Sequence, residues 1–330
     1  MKYSINRKHF LQLATALSGF FVLPQSIIKK NNQTINRTNI GSETYFPGYS
    51  LYEALKTLKY LGFCTVELHA FGVPEAHAGM TPGFDFKELT MKQKDTITEA
   101  IDDFKHISVH LPYSGLNFFS SDREYSQQSI KKFEYAMEGA AYFKAELATF
   151  HIMEPEGREL ENAWEDIIKQ CRIWGDMGAE MNLPLAIETG FPNSAEQFIQ
   201  LIRDIDHPWV GVNVDVGHQI WYDEFSSKIN NDQLSTKENI KSYNDLMHYI
   251  IDNLSDKLMI MHVHDIDPET WSEHRSLKYD TIDYPRLFRK LKDINYDSFL
   301  IFEIAPPNRP PYKPAVLAND KRKMENFMLQ

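Results

Sequence analysis

The sequence contains few cysteines and fewer basic than acidic residues, and each shortage excludes a class of protein. Cys64 and Cys171 are its two cysteines, too few for a disulfide framework or a thiolate metal site. We interpret both as core thiols, because free cysteine is commonly buried. The 35 Lys and Arg residues against 46 Asp and Glu residues give a formal charge of −11. This charge argues against nucleic acid as a partner, because Lys and Arg make most phosphate contacts.

Long apolar runs are also scarce, and the N-terminal one is short for a membrane helix. Lys2, Arg7 and Lys8 precede an apolar segment at residues 10–23. A charged region followed by a short apolar region is typical of an export signal, whereas a membrane span needs about 20 apolar residues. The sequence from Asn6 to Leu11 is similar to a twin-arginine signal, with Lys8 in place of the second Arg.

We therefore predict an export signal over residues 1–26 and a polar linker over residues 27–42. The route is a twin-arginine-like or Sec signal, and the predicted location is the periplasm. No membrane span is expected once the signal has been removed. An N-terminal amphipathic anchor or helix is the alternative interpretation.

Beyond the linker, segments with strand character alternate with segments of helical period. The predicted strands lie at 39–45, 64–68, 107–111, 147–152, 185–188, 210–215, 258–264 and 299–303. The predicted helices lie at 51–61, 91–104, 129–143, 160–181, 195–205, 243–254 and 284–294. This alternation favours a parallel sheet, and no Gly-rich nucleotide loop follows an early strand. We predict an α/β fold, a (β/α)8 TIM barrel over residues 43–330, with long connections at 70–84 and 219–240 on its active-site face.

Most of the predicted strands end in an acid or an imidazole. These strand-end residues are His110, His151, Glu188, Asp215, His262 and Glu303. Catalytic groups of a barrel lie at the C-terminal ends of its strands, and buried charged groups need a partner. A divalent cation is the simplest partner for such a set, and an oxygen-rich set with one imidazole suits Mn, Mg or Co, with Zn also suitable.

Two stretches carry a resemblance to a known family. The Asp-x-Gly-His text that begins at Asp215, and the His-Val-His-Asp run that begins at His262, are similar to motifs of the xylose-isomerase-like barrel superfamily. That group contains sugar phosphate isomerases and epimerases together with the apurinic-site endonuclease, and the resemblance covers about residues 43 to 305. It implies that one divalent ion is held by Glu188, Asp215, His262 and Glu303. It also implies that His218 contacts the substrate.

The endonuclease branch of that family holds further metals. Its additional ligands correspond to His110 and His151, and to an Asp-x-His after strand 7. Here His274 matches that histidine, but Ser272 stands in place of the aspartate, which argues against a third metal. We predict a set of substrate-binding residues at the mouth of the barrel, with a supporting role as the default for His264 and a rim ion pair as the alternative for Glu67. The set is His218, His110, His151, His264, His274 and Glu67, the last of which we place at the end of strand 2.

The predicted ligands suit proton transfer beside a carbonyl. A bound ion polarises a carbonyl and stabilises the adjacent enediolate, and a carboxylate within reach removes the proton. Glu188 and Glu303 are the predicted catalytic pair, and the alternative for either is a pure ligand. We predict a divalent-metal-dependent isomerase or epimerase that acts on a small-molecule sugar or ketose, and a homo-oligomer is compatible with the sequence.

Three other functions stay open. One is a multi-metal phosphodiesterase or endonuclease of the apurinic-site type, and another is a lyase or dehydratase on the same metal site. The third is a carbohydrate-binding module without catalysis, which would not need two opposed carboxylates on an ion.

The predicted export signal can be tested by N-terminal sequencing of the protein from its native cell. We expect the mature chain to begin near residue 27, because a signal peptidase removes the charged and apolar regions together. A mature protein that retains Lys2 to Leu23 would contradict this prediction.

Overall fold

The computed structural model describes residues 36–46, 48–77, 80–229, 236–304 and 314–329. The predicted export signal over residues 1–26 lies outside this range, as does most of the predicted linker. Both therefore stay predictions.

Eight parallel strands close into a barrel. They are β1 (Ile40–Glu43), β2 (Thr65–His69), β3 (His106–His110), β4 (Leu147–Phe150), β5 (Leu185–Glu188), β6 (Val210–Asp215), β7 (Leu258–Val263) and β10 (Phe299–Phe302). From β1 to β7, strands that are consecutive in the chain are neighbours in the barrel. Strand β10 lies next to β7 and pairs with β1 to close the ring. Between β7 and β10, the short strands β8 (Asp265–Asp267) and β9 (Ser272–Arg275) form a separate antiparallel pair.

Helices follow the strands along the chain, as a barrel of β–α units requires. They are α1 (Leu51–Tyr60), α2 (Met91–Ile101), α3 (Arg123–Tyr142), α4 (Leu160–Met181), α5 (Ala195–Ile205), α6 (Asp223–Ile229), α7 (Thr236–Leu254), α8 (Tyr284–Asp293) and α9 (Pro314–Phe327). The predicted (β/α)8 TIM barrel is confirmed. Within the described ranges, no helix has the length and apolar sequence that crossing a membrane requires.

Several element boundaries differ from the predictions. Helix α3 begins at Arg123 rather than at residue 129, because the Asp122 side chain accepts the backbone N–H groups of Glu124 and Tyr125 and caps a polar first turn. The predicted connection at 219–240 contains α6 and the start of α7. Strand β1 begins at Ile40, so residues 40–42 belong to the barrel and the predicted linker boundary at 42 is wrong.

Side-chain alternation along the strands divides the barrel into two apolar regions. Outward residues such as Val66, Ile187 and Val214 pack in the main core between the strands and the helices. A second, smaller core inside the barrel consists of Leu147, Ala186, Ile260, Phe299 and Ile301. These residues precede the strand ends, so the apolar cluster fills the lower barrel and leaves the inward positions above it for polar groups.

Candidate metal centre

Every strand of the barrel delivers an acid or an imidazole, either at its last inward position or at the residue that directly follows the strand. In chain order these residues are Glu43, His69, His110, His151, Glu188, Asp215, His262 and Glu303. The alternation that turns Ala186 and Ile260 inward also turns Glu188 and His262 inward, two residues later. Eight titratable groups therefore meet at the C-terminal mouth, where barrel active sites lie.

The four predicted metal ligands come together in this ring. Glu188, Asp215, His262 and Glu303 each offer one atom, and these atoms lie within 4.8 Å of one another. The Nδ1 atom of His262 lies 2.7 Å from Glu303 Oε2, 3.2 Å from Glu188 Oε1 and 3.9 Å from Asp215 Oδ2. Two ligands of one ion are separated by at most about twice the metal–ligand distance, roughly 4–5 Å. The spacing therefore suits a shared ion.

Unpaired buried oxygens support this fit. Glu188 Oε2 and Glu303 Oε2 are buried without a well-aligned hydrogen bond to any described residue. The Nε2 atoms of His151 and His110 lie 3.3 and 3.4 Å from the first oxygen, and His262 Nδ1 lies 2.7 Å from the second. A buried carboxylate oxygen without a partner is costly. A divalent ion between the three carboxylates and the imidazole would remove that cost.

Electrostatic coupling keeps these carboxylates ionised. Burial alone would raise the pKa of Glu188, but His262 and then His151 hold it well below its ordinary value. Burial likewise opposes the ionised form of Glu303, whose pKa His274 and His262 hold well below the usual range. For His262, burial is outweighed by Glu188, Glu67 and Glu303, which raise its pKa well above the ordinary value. An incoming cation would therefore meet ionised oxygens.

Three histidines around the four ligands are oriented by backbone carbonyls. The Nδ1 atom of His110 lies 2.8 Å from Leu111 O, that of His218 lies 2.7 Å from Thr189 O, and that of His274 lies 3.1 Å from Glu303 O. A carbonyl accepts only from N–H, so each Nδ1 carries hydrogen. The Nε2 atom of each ring is therefore the nitrogen that could bind an ion at the mouth, once any proton on it has been displaced.

Further residue groups could also hold a cation. Ligand atoms lie within 4.8 Å of one another in three other groups, namely His110–His151–Glu188, Asp215–His264–His274 and His218–Glu273–His274. Ser272 stands where the family motif has an aspartate. In the group His218–Glu273–His274, the next residue, Glu273, supplies a carboxylate instead. Sequence reasoning missed Glu273, since it occupies a position that the family motif leaves unspecified.

Two predicted substrate-binding residues are placed differently by the structure. Glu67 lies in the interior of β2 rather than at its end, and it is fully buried. His264 is also fully buried, with Nε2 at 3.0 Å from Asp215 Oδ1 and with Nδ1 at 3.0 Å from both the backbone oxygen of Asp265 and the backbone nitrogen of His274. Each side chain contacts another buried side chain of the site, so a supporting role suits both, and substrate contact by Glu67 or His264 stays a prediction.

Sequence reasoning missed a buried pair on the first two strands. His69 Nε2 lies 3.0 Å from Glu43 Oε2. Burial, followed by the charge of Glu303, raises the pKa of Glu43 well above its ordinary value, and burial lowers the pKa of His69 to about 3. Applying the two-residue alternation to β1 and β2 would have identified both residues, because each is the last inward position of its strand.

Aromatic side chains form part of the wall of the mouth. Tyr113 is 43% exposed and its ring contacts those of Phe71, His110 and His151. Trp221 is 54% exposed, and its Nε1 donates to Glu273 Oε2. Exposed rings beside polar groups are suited to stacking on the apolar face of a sugar ring.

The chain belongs to the xylose isomerase-like TIM barrel family, whose model matches residues 39–322. An uncharacterized protein of Methanocaldococcus jannaschii is 24% identical over 212 residues, which are 60% of this chain and 64% of that protein. This match therefore spans less than two thirds of the curated relative.

Solved structures share the fold at low identity. A D-tagatose 3-epimerase-like protein superimposes with a TM-score of 0.66 at 16% identity, covering 88% of this chain and 97% of that one. A xylose isomerase-like TIM barrel protein of Mycobacterium smegmatis, solved in complex with magnesium, gives a TM-score of 0.58 at 15% identity, covering 84% and 87%.

The shared site predicts that a divalent ion stabilises the protein. We expect Mn²⁺ at 100 times its dissociation constant to add about 2.7 kcal/mol to the free energy of unfolding, because the unfolded chain lacks the assembled ligands. The Asp215→Ala variant should lose most of this gain in thermal unfolding with and without Mn²⁺.

The matched control is Asp320→Asn. Asp320 is another buried aspartate, but it lies on the separate helix α9 and accepts the Ser276 hydroxyl. This variant should keep the full Mn²⁺-dependent shift. Equal shifts in wild type and Asp215→Ala would contradict the assignment.

Proposed function

We propose that the protein is a divalent-metal-dependent isomerase or epimerase that acts on a sugar or ketose. The observation that carries this proposal is the pair Glu188 and Glu303, whose carboxylates approach the same nitrogen of His262 at 3.2 and 2.7 Å. Their strands, β5 and β10, flank β6 and β7 on opposite sides. Two ionised carboxylates can therefore approach one small substrate from different directions.

The ion and the residues of the site would have separate roles in this reaction. The ion would supply polarisation of the substrate carbonyl. One of the two carboxylates, in its ionised form, would remove a proton from the carbon beside that carbonyl, and the other, after taking a proton from solvent, would return a proton to the resulting enediolate. Return to the opposite face of the same carbon is epimerisation, whereas return to the former carbonyl carbon is isomerisation. His218, with its ring oriented by Thr189, is placed to hold a substrate hydroxyl.

A carbohydrate substrate is supported by the walls of the mouth and by the comparisons. Tyr113 and Trp221 offer exposed rings, and among the structural neighbours are proteins described as a D-tagatose 3-epimerase-like protein and a D-psicose 3-epimerase. The neighbour solved with magnesium supports a hard divalent ion. Export to the periplasm remains part of the proposal, because the N-terminal segment lies outside the described residues.

A multi-metal phosphodiesterase is the second candidate. The groups His110–His151–Glu188 and His218–Glu273–His274 favour it, since each brings three ligand atoms within 4.8 Å. The formal charge of −11 weighs against a nucleic-acid substrate. A lyase or dehydratase would use the same carboxylates but release water or a fragment, so analysis of the products separates it from an isomerase.

Replacing Glu303 by glutamine tests proton transfer. A neutral amide still offers an oxygen to the ion but cannot accept a proton, so turnover at saturating Mn²⁺ should fall at least about 100-fold. The wild-type protein should incorporate solvent deuterium into a ketose from a panel incubated in D₂O with Mn²⁺, and Glu303→Gln should not.

Glu269→Gln is the control, because Glu269 is exposed in the turn between β8 and β9. It should exchange deuterium at the wild-type rate. Wild-type protein that exchanges no deuterium with any sugar, and instead cleaves an abasic duplex, would replace this proposal with the phosphodiesterase.

A further inference from the structure

Glu67 lies beside the imidazole of the proposed ligand His262. Its side chain points into the barrel from the middle of β2 and is fully buried. Its Oε1 atom lies 2.9 Å from Nε2 of His262, and its Oε2 atom accepts the Ser108 hydroxyl at 2.9 Å. Ser108 is the residue opposite Glu67 in the pairing of β2 with β3, so the adjacent strand fixes the carboxylate from its other end.

The two nitrogens of His262 face different surroundings. Nδ1 faces the three carboxylates of the candidate metal centre, whereas Nε2 faces Glu67. Nε2 and Glu67 Oε1 lie 2.9 Å apart without a well-aligned hydrogen bond, and both atoms are buried with no other partner in the part of the chain that the structure describes. Since an unpaired buried donor and acceptor are both costly, each atom is the natural partner of the other.

We propose that Glu67 is a positioning residue that holds the N–H of His262 at Nε2 and thereby presents the Nδ1 lone pair to the ion. This inference rests on the metal site of the proposed function, but it concerns metal binding rather than turnover. An ion bound at Nδ1 would displace the proton from that nitrogen, so the His262 ring would be neutral and carry one N–H. Holding that hydrogen on the Glu67 side leaves Nδ1 as the ligand atom, and the carboxylate makes the ring a stronger donor to the metal.

Glu43 provides a matched comparison within the same barrel. It is the residue opposite Glu67 in the pairing of β1 with β2, and it is also buried and turned inward. Its carboxylate pairs with His69, which is outside the proposed four-ligand set. Glu43 and Glu67 are therefore the same residue type, are both buried and lie opposite each other on neighbouring strands. They differ in whether their imidazole partner belongs to the proposed four-ligand set.

The first test measures Mn²⁺ affinity by titration calorimetry without any sugar. Glu67→Gln should bind Mn²⁺ about 10- to 100-fold more weakly than wild type, the usual effect of removing such a support. Ser108→Ala should weaken binding less, because the carboxylate remains. Glu43→Gln should bind Mn²⁺ with an affinity close to that of wild type, because its imidazole partner His69 is outside the four-ligand set. Equal affinities of Glu67→Gln and Glu43→Gln would overturn the proposal.

The second test measures the protonation and metal coordination of the His262 ring directly. It uses wild-type protein, so it does not depend on a variant that folds. In Zn²⁺-loaded wild-type protein with ¹⁵N-labelled histidine, NMR should show His262 protonated at Nε2 and bound to metal through Nδ1. Coordination through Nε2, or failure of the wild type to bind Mn²⁺ or Zn²⁺, would overturn it. Weakened metal binding in Glu67→Gln together with no sugar exchange in wild type would uphold this inference while removing the proposed isomerase activity.

Discussion

The burial of several carboxylates around one imidazole is the interaction on which the rest of this site depends. Glu188 and Asp215 are almost completely buried, and Glu303 is only partly open to solvent. Removing carboxylates from water is expensive unless positive charge is shared among them. Protonated histidines can supply that charge in part, but they leave two carboxylate oxygens without an aligned donor among the described residues. A divalent cation bound between them would satisfy both needs at once.

The barrel explains why these groups meet. Each strand contributes inward side chains at every second residue, so a closed ring of eight strands brings its last inward positions to one small volume. The apolar cluster that includes Ile260 and Ile301 fills the barrel below. His262 stands between the two regions, with the candidate metal centre above it and Glu67 behind it. The supporting residues are therefore as much a product of strand register as the proposed ligands are.

The sequence was sufficient to predict the barrel and most of the strand-end residues, because buried parallel strands are short apolar runs with a polar end. It was less informative where a strand itself is polar. Glu67 was placed at a strand end because the predicted strand stopped at Leu68, whereas β2 continues to His69. The ring orientations of His110 and His218 depend on backbone carbonyls of Leu111 and Thr189, which no spacing in the sequence specifies. Glu273 became a candidate only because the β8–β9 pair folds it back toward His218.

Anomalous diffraction from a crystal grown with Mn²⁺ is the most direct measurement of the central claim, that one ion is shared by four strand ends. We expect a manganese peak at roughly 2.0–2.4 Å from a carboxylate oxygen of each acid and from the imidazole nitrogen. The ligands are Glu188, Asp215, Glu303 and Nδ1 of His262. A crystal that shows manganese elsewhere on the protein and no peak between these four side chains would contradict the claim.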